Sequence, residues 1–258
     1  MKGIIVGAGR GGRLKPATNE GPKCLMDGLG GRRVLDWILQ ALRAGGVDDI
    51  VFVGGYRMEM VQALYPELRY YRNDRWRDNN ILASLMYAAS ELDADVMVSY
   101  SDIVYGETIV QRLRETPGDL ALAVDLEWLQ HYEGRVGHSV EEAENVVLEG
   151  NRVRRVGKHL SGDTAEGEFI GLTYLSAVAA RAMRDRFQEL EADQLAPFQQ
   201  AEILDKAYVT DMLQELIDRG FDVRSTAVED PWFELDTPYD LEKARSFLST
   251  LTNESPRG

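Results

Sequence analysis

Cysteine is almost absent from this chain. Cys24 is the only one in 258 residues, so no intramolecular disulfide can form and no cysteine-based metal site can brace the fold. Histidine is nearly as scarce, and His131, His138 and His159 show none of the spacings at which imidazoles share a metal; no role follows for them from spacing. Long apolar runs are missing too. Ile4-Ile5-Val6 stops at Gly7, unlike the apolar core of a secretory signal, and no stretch approaches the ~18 apolar residues of a membrane span. The expectation is a cytoplasmic protein with no membrane partner. Basic residues are outnumbered, 29 against 43 acidic ones, for a formal charge of -14. Such a surface repels polyanions, which argues against nucleic acid as a partner.

What is present is a globular composition, 44% hydrophobic and 28% charged. A chain of this length buries roughly 70–75% of its unfolded surface and needs no disulfide or structural metal. The charge is unevenly placed. Lys2, Arg10, Arg13, Lys15, Lys23, Arg32 and Arg33 face only Glu20 and Asp27 in residues 1–33, a local balance of +5 that leaves -19 for the other 225 residues. A positive segment on an acidic body is what a buried anion site would look like.

Patterning predicts a strand at 2–6, a glycine-rich loop to Gly12, and an irregular stretch broken by Pro16 and Pro22. Leu35, Ile38, Leu39 and Leu42 have helical spacing within 34–44, closed by Gly45-Gly46. Strands at 50–53, 68–71 and 95–100 alternate with helices at 58–64 and 81–92, the pattern of an α/β layer structure. Further strands are expected at 120–124, 169–174 and 223–228, with a hairpin of 145–148 and 152–156 around Glu149-Gly150-Asn151. Helices are expected at 177–190, 209–219 and from Thr237-Pro238, where Thr237 suits an N-cap and Asp240 completes a capping-box-like triplet. The polar tail from Thr252 is expected to fray.

Gly7-Ala8-Gly9-Arg10-Gly11-Gly12 satisfies the G-x-G-x-x-G pattern of dinucleotide folds, but that pattern needs a helix opening in the loop and an acidic residue ending the next strand. Pro16 and Pro22 interrupt the place of the helix, and Asp27 does not end an apolar strand. A Walker loop fails as well, because Arg13-Leu14 follows Gly12. A glycine loop remains, with Arg13 at its end and Lys23 ten residues on. Glycines let backbone N–H groups approach phosphate oxygens, Arg offers a fork of donors and Lys a point charge; the plainer alternative is a solvated turn with stray basic residues.

The run Gly7 to Leu14, followed by Gly21-Pro22-Lys23-Cys24-Leu25, resembles the signature of nucleotidyltransferases with a sugar-nucleotidyltransferase-like fold. Gly54-Gly55-Tyr56, Asn73, Trp76, Asn79-Asn80, Ser84-Leu85, Ser99 to Tyr105, Gly157-Lys158 and Trp232 to Thr237 extend the likeness over roughly residues 1–245, toward the bacterial phosphocholine and phosphonate cytidylyltransferase branch. The resemblance implies a Rossmann-like, GT-A-like three-layer α/β/α sandwich. Its sheet would be mixed and mainly parallel, with a small β-rich acceptor-binding insertion. It implies one nucleotidyltransferase domain over 1–250, with nucleotide binding in 1–124, acceptor binding in 125–205, a second metal ligand in 206–250 and a flexible tail at 251–258. Gly7, Ala8, Gly9, Gly11, Gly12, Arg13 and Lys23 would hold the nucleotide, with Arg13 and Lys23 also catalytic.

Asp102 ends an apolar strand, where open α/β sheets place their ligand sites, and Asp236 precedes a helix cap. Two carboxylates can hold Mg²⁺ together with phosphate oxygens and water, while a turn former and a helix-start residue are the plain readings. By resemblance both match Mg²⁺-binding aspartates, with Glu234 assisting them or only supporting the fold. Asn80 and Ser84 match residues beside the nucleotide base, although either Asn79 or Asn80 would cap a helix equally well. Lys158 matches a lysine on the acceptor phosphate.

The implied reaction is attack by a phosphate or phosphonate oxygen on the α-phosphorus of CTP, with release of pyrophosphate. An acceptor already ionised needs no general base. Asp125, Trp128 and Tyr132 could cage a quaternary ammonium such as choline, or the aromatics could be core or lid residues. Arg135 and His138 could instead receive the carboxylate of an acceptor such as phosphonoformate. The segment His131 to Val136 departs from the more aromatic stretch of phosphocholine enzymes. A sugar-1-phosphate nucleotidyltransferase, a glycosyltransferase, whose Asp-x-Asp pair is missing at Asp102-Ile103-Val104, and a silent nucleotide-binding regulator are the alternatives. A homodimer is compatible with the sequence but not required by it.

Overall fold

The computed structural model describes residues 1–15, 18–27, 29–160, 165–193 and 195–253. In its first half β1 (Lys2–Gly7), α1 (Val34–Ala44), β2 (Asp49–Gly54), α2 (Met58–Leu64), β3 (Arg69–Arg72), α3 (Ile81–Met86) and β4 (Val96–Tyr100) alternate. There follow β5 (Ile103–Val104), α4 (Glu107–Glu115), β6 (Leu120–Asp125) and α5 (Leu129–Tyr132), then β7 (Asn145–Glu149), β8 (Arg152–Gly157) and β9 (Gly167–Leu175). The chain continues through α6 (Ala177–Leu190), α7 (Val209–Asp218), β10 (Val223–Ala227), β11 (Phe233–Glu234) and α8 (Pro238–Asn253).

Nine strands form one sheet in the order β3-β2-β1-β4-β9-β6-β10-β8-β7. β1, β2, β3 and β4 are mutually parallel, and β9 is antiparallel to both β4 and β6. Because side chains alternate across a strand, each strand feeds two cores. Ile5, Phe52 and Met97 pack on one face with Leu35, Ile38 and Leu42 of α1 and with Ile109 and Leu113 of α4. Ile4, Val6, Val51 and Val98 pack on the other with Leu82 of α3, Met183 and Phe187 of α6, and Met212 and Leu216 of α7. This is a three-layer α/β/α arrangement around a mixed sheet. The β-rich segment is the hairpin β7-β8, which joins the same sheet through β10 and β9 because Val146, Val153 and Val156 share the second core.

Helix α1 ends as its glycines direct: Gly46 has φ +80° and Val47 N–H donates to Leu42 C=O at 2.9 Å. Three expectations change. The helix expected over 81–92 breaks after Met86 and resumes as a single 3₁₀ turn at Ala89–Glu91. Helix α4 escapes the patterning because only Ile109, Val110 and Leu113 of its nine residues are buried apolar groups. Helix α8 runs to Asn253, so the expected tail starts within helix, and residues 254–258, like Pro16, lie outside the described residues.

The carboxyl ends of β1 and β4 lie side by side, with Val6 opposite Tyr100, so the loop after Gly7 and the turn holding Asp102 open onto one edge. Gly7 permits this approach: a Cβ there would lie 2.6 Å from Ser101 Oγ and 2.8 Å from the buried Phe52 ring. Gly7→Ala is therefore expected to cost about 1–3 kcal/mol by overpacking, read as a lower urea midpoint with an unchanged m-value.

Candidate active site

The loop after β1 does not open a helix. Gly11 sits in the left-handed region (φ +69°, ψ +59°), and a single 3₁₀ turn, Gly12–Leu14, follows. A Cβ at Gly11 would meet Lys23 Cε at 2.9 Å, whereas Gly9 and Gly12 face open space, so bare backbone lines the opening. Gly55 packs under the loop, with Tyr56 N–H donating to Ala8 C=O at 2.9 Å. Lys23 begins a second 3₁₀ turn, Lys23–Leu25, and is buried.

Asp102 and Asp236 are 134 positions apart, and a two-stranded ribbon brings them together. β11 pairs antiparallel with β5, Glu234 opposite Ile103, and Leu235 N–H donates to Asp102 C=O at 2.9 Å. Lys23 Nζ donates to Asp102 Oδ2 at 2.9 Å and to Asp236 Oδ1, while Arg13 donates to Asp236 Oδ2 and to Glu142. Asp240 fixes the approach, accepting from the N–H groups of Asp236 (3.1 Å) and Thr237 (2.7 Å), as a capping residue at the start of α8 does. Burial alone would lower the Lys23 pKa, but Asp102 and Asp236 overcome it and hold the ammonium charged. Burial alone would raise Asp236; His138, Lys23 and Arg13 keep it well below the usual carboxylate range.

Two connected spaces flank this ion cluster. The smaller, about 180 Å³, is lined by Ala8, Gly9, Trp76, Asn79, Asn80 and Ser84. Buried Asn73 orders its wall by donating to Asn79 Oδ1 at 2.8 Å and Ser84 Oγ at 2.9 Å. The larger, about 560 Å³, extends from Gly9, Gly12 and Arg13 past Lys23 and Asp102 to Glu144, Lys158, Glu168, Tyr208 and Trp232. Two buried carboxyls stand at that far end. Burial pushes Glu144 up to about 7 against the pull of Lys158 and of Tyr100, whose hydroxyl donates to it at 3.0 Å. Burial and the charge of Glu234 push Glu168 up to about 8, although Tyr132 O–H donates to it at 2.6 Å.

The family model described as a MobA-like NTP transferase domain matches residues 3–207. The chain belongs to this family. Over 252 residues it is 28% identical to a CTP:phosphoglutamine cytidylyltransferase of Campylobacter jejuni, covering 94% of this chain and 98% of that one. It is 25% identical over 200 residues to a 2-aminoethylphosphonate cytidylyltransferase of Lancefieldella rimae, covering 74% and 75% of the two. The structure of the CTP:phosphocholine cytidylyltransferase of Streptococcus pneumoniae superposes with a TM-score of 0.75 at 21% identity, over 96% of this chain and 98% of the other; at that identity it speaks for the fold. The MobA-like chain is accordingly a nucleotidyltransferase of Rossmann-like fold.

In this transferase the residues singled out from sequence divide into two groups. Gly9, Gly11, Gly12, Arg13, Lys23, Asn80, Asp102, Lys158 and Asp236 all line the larger space, and Gly7, Ala8 and Ser84 the smaller. Asn80 also caps α3, accepting from Ile81 N–H at 2.9 Å, so its structural and ligand-facing readings coexist. Asp125, Trp128, Tyr132 and Arg135 line neither space. The short helix α5 turns Trp128 and Tyr132 onto each other, ring centroids 5.7 Å apart, in a small cluster with Ala143, so they form no open cage. Asp125 accepts from Trp232 Nε1 at 2.8 Å and pairs with His131 at 3.1 Å. Arg135 pairs with Asp240 and Glu234 at 2.8 Å each.

His138, for which spacing gives no metal role and which is offered with Arg135 to an acceptor carboxylate, is buried against Asp236 at 3.1 Å and lines the larger space. Glu144 and Glu168 were not singled out. Glu168, a carboxylate inside the apolar strand Gly167–Leu175, carried a sequence signal; Glu144, in an acidic loop run, carried none. Because their folded pKa values exceed the unfolded value, the native state binds protons that the unfolded chain releases, and their contribution weakens as pH rises from about 4.5 through about 7 and 8. Urea midpoints of Glu168→Gln are expected to fall less steeply than those of wild type between pH 5 and 8.5.

Proposed function

We propose that the protein is a Mg²⁺-dependent cytidylyltransferase that transfers CMP from CTP to a small phosphate or phosphonate acceptor bearing an amine. The observation that carries this reading is the convergence of Asp102 and Asp236 on one ammonium, Lys23 Nζ, beside the open backbone of Gly9 and Gly12. Two carboxylates able to share one cation are a hard oxygen donor pair that fits Mg²⁺. Bound there, the ion would neutralise charge on the triphosphate. Lys23 and Arg13, now held by those carboxylates, would be free for phosphate oxygens.

Asn80 and Ser84, in the smaller space, would face the base, and the full-length likeness to the phosphoglutamine enzyme supports CTP as donor. At the far end, Lys158 over the Tyr208 ring at 4.3 Å offers charge to the acceptor's phosphate or phosphonate. Glu144 and Glu168, beside Tyr100 and Trp232, suit an ammonium group better than a carboxylate. Choline, aminoethyl and amino-acid-like acceptors share that chemistry; phosphonoformate does not.

The acceptor oxygen attacks the α-phosphorus and forms the new P–O bond as the bond to the bridging oxygen breaks, with pyrophosphate leaving on the electron pair. Alignment and cationic stabilisation by Lys23 and Arg13 supply the acceleration. Pyrophosphate release is expected with CTP far above ATP, GTP or UTP, and with 2-aminoethylphosphonate, phosphocholine or phosphoglutamine above phosphonoformate or sugar 1-phosphates. Asp102→Ala and Lys23→Ala should each lose at least a hundredfold in kcat/KM. Full activity in Asp102→Ala, or release only with a sugar 1-phosphate, would refute the reading.

A further inference from the structure

Behind the smaller space lies an amide whose orientation the backbone settles. Asn73 follows β3 and is fully buried. Its N–H donates to Gly54 C=O at 2.8 Å, which continues the pairing of β3 with β2 and anchors the residue. Arg75 N–H donates to Asn73 Oδ1 at 2.9 Å. A backbone N–H can only donate, so this contact decides which end of the amide is oxygen. Nδ2 therefore faces the other way, donating to Asn79 Oδ1 at 2.8 Å and to Ser84 Oγ at 2.9 Å. Both of its hydrogens are used.

Ser84, within α3, is buried too. Its Oγ accepts from Asn73, and its O–H donates to Asn80 C=O, one turn back, at 3.0 Å. A hydroxyl has one hydrogen and two lone pairs. With Asn73 on one lone pair and Asn80 on the hydrogen, a single lone pair is left for the space that Ser84 lines. Turning the hydrogen toward that space would set a lone pair against the Asn80 carbonyl oxygen at 3.0 Å. The hydroxyl thus offers the space an acceptor and not a donor.

On the proposed placement of the base in this space, we infer that Asn73 is a positioning residue for nucleotide choice: by holding Ser84 as an acceptor, it selects a base with an exocyclic amino group over one with a carbonyl there. Cytosine carries such an amino group where uracil carries an oxygen. A site built to receive an N–H rejects the analogue that lacks it, because two acceptors then face each other with no hydrogen between them. Asn73 acts through Ser84 and touches no ligand itself.

The test is calorimetric binding of CTP and of UTP to the full chain, with Mg²⁺ and without acceptor. Wild type is expected to bind CTP roughly tenfold or more tightly than UTP. Ser84→Ala and Asn73→Ala should each cut that ratio to about threefold or less, mainly by weakening CTP. A merely structural Asn73 would weaken both nucleotides alike and leave the ratio unchanged. In the double variant the ratio should equal that of Ser84→Ala, since the amide reaches the base only through the hydroxyl. A CTP preference that survives either single substitution, or a further fall in the double variant, overturns the role of Asn73 while leaving CTP as donor. Equal binding of the two nucleotides by wild type overturns it together with the choice of donor. Ser84→Ala, a helix-favouring change, keeps the test decisive if Asn73→Ala does not fold.

Discussion

A buried ammonium between two buried-edge carboxylates organises this protein. Lys23 gives up solvent at a cost that attraction to a single partner seldom repays; it is held because Asp102 and Asp236 both reach it. Neither aspartate could be there without the ribbon of β5 and β11, which ties the end of β4 to the start of α8. Removing either aspartate leaves buried Lys23 with one carboxylate in place of two. The local architecture, from the Gly7 approach to the Asp240 cap, serves to keep those three groups together.

The same cluster explains how a chain of charge -14 can hold a site for anions. Of the N-terminal basic residues, Arg13 and Lys23 line the larger cavity, where they pair with Asp102, Glu142 and Asp236, and the chain's surplus acidity reaches into the same cavity. Part of it stands in the cavity's far end as Glu144 and Glu168, where burial favours the protonated forms. At neutral pH those carboxyls are only partly ionised, and a cationic group beside them would stabilise their charged forms. On the proposed reading, a cavity with Arg13 and Lys23 at one end and Glu144 and Glu168 at the other would suit a molecule that is itself anionic at one end and cationic at the other.

Much of this was legible in the chain. Patterning located α1, α2 and α6 to the residue, and the boundary signals of two of them are strong: Gly45-Gly46 stops α1 and Ser176 is the N-cap of α6. It missed β5 and β11, which are two residues each, too short for alternation to register although they join the aspartates. Motif reasoning found the glycine loop, Lys23 and both aspartates, since backbone clearance and charge are local properties. The acceptor end was harder. Trp128 and Tyr132 read equally well as a cage or as core until α5 packs them together, and His138 gains meaning only through a contact with Asp236 across 98 positions. Residues whose role lies in such contacts leave no pattern in a single sequence.

The glycine loop shows why side-chain charge had to be supplied at all. In dinucleotide folds the phosphate meets the first turn of a long helix, whose aligned peptides contribute about half a positive charge. Here the loop ends in a three-residue 3₁₀ turn, too short for a comparable dipole, so backbone N–H groups can orient phosphates but not neutralise them. On the proposed reading Arg13 and Lys23 would take over that part, and side chains, unlike a helix dipole, can be redirected. In the structure they rest on Asp236, Asp102 and Glu142; were they to turn to a phosphate, as proposed, the carboxylates would need a cation of their own. Replacing a fixed dipole with mobile charges would thus make exchange of partners between carboxylates, cations and phosphate part of the proposed reaction.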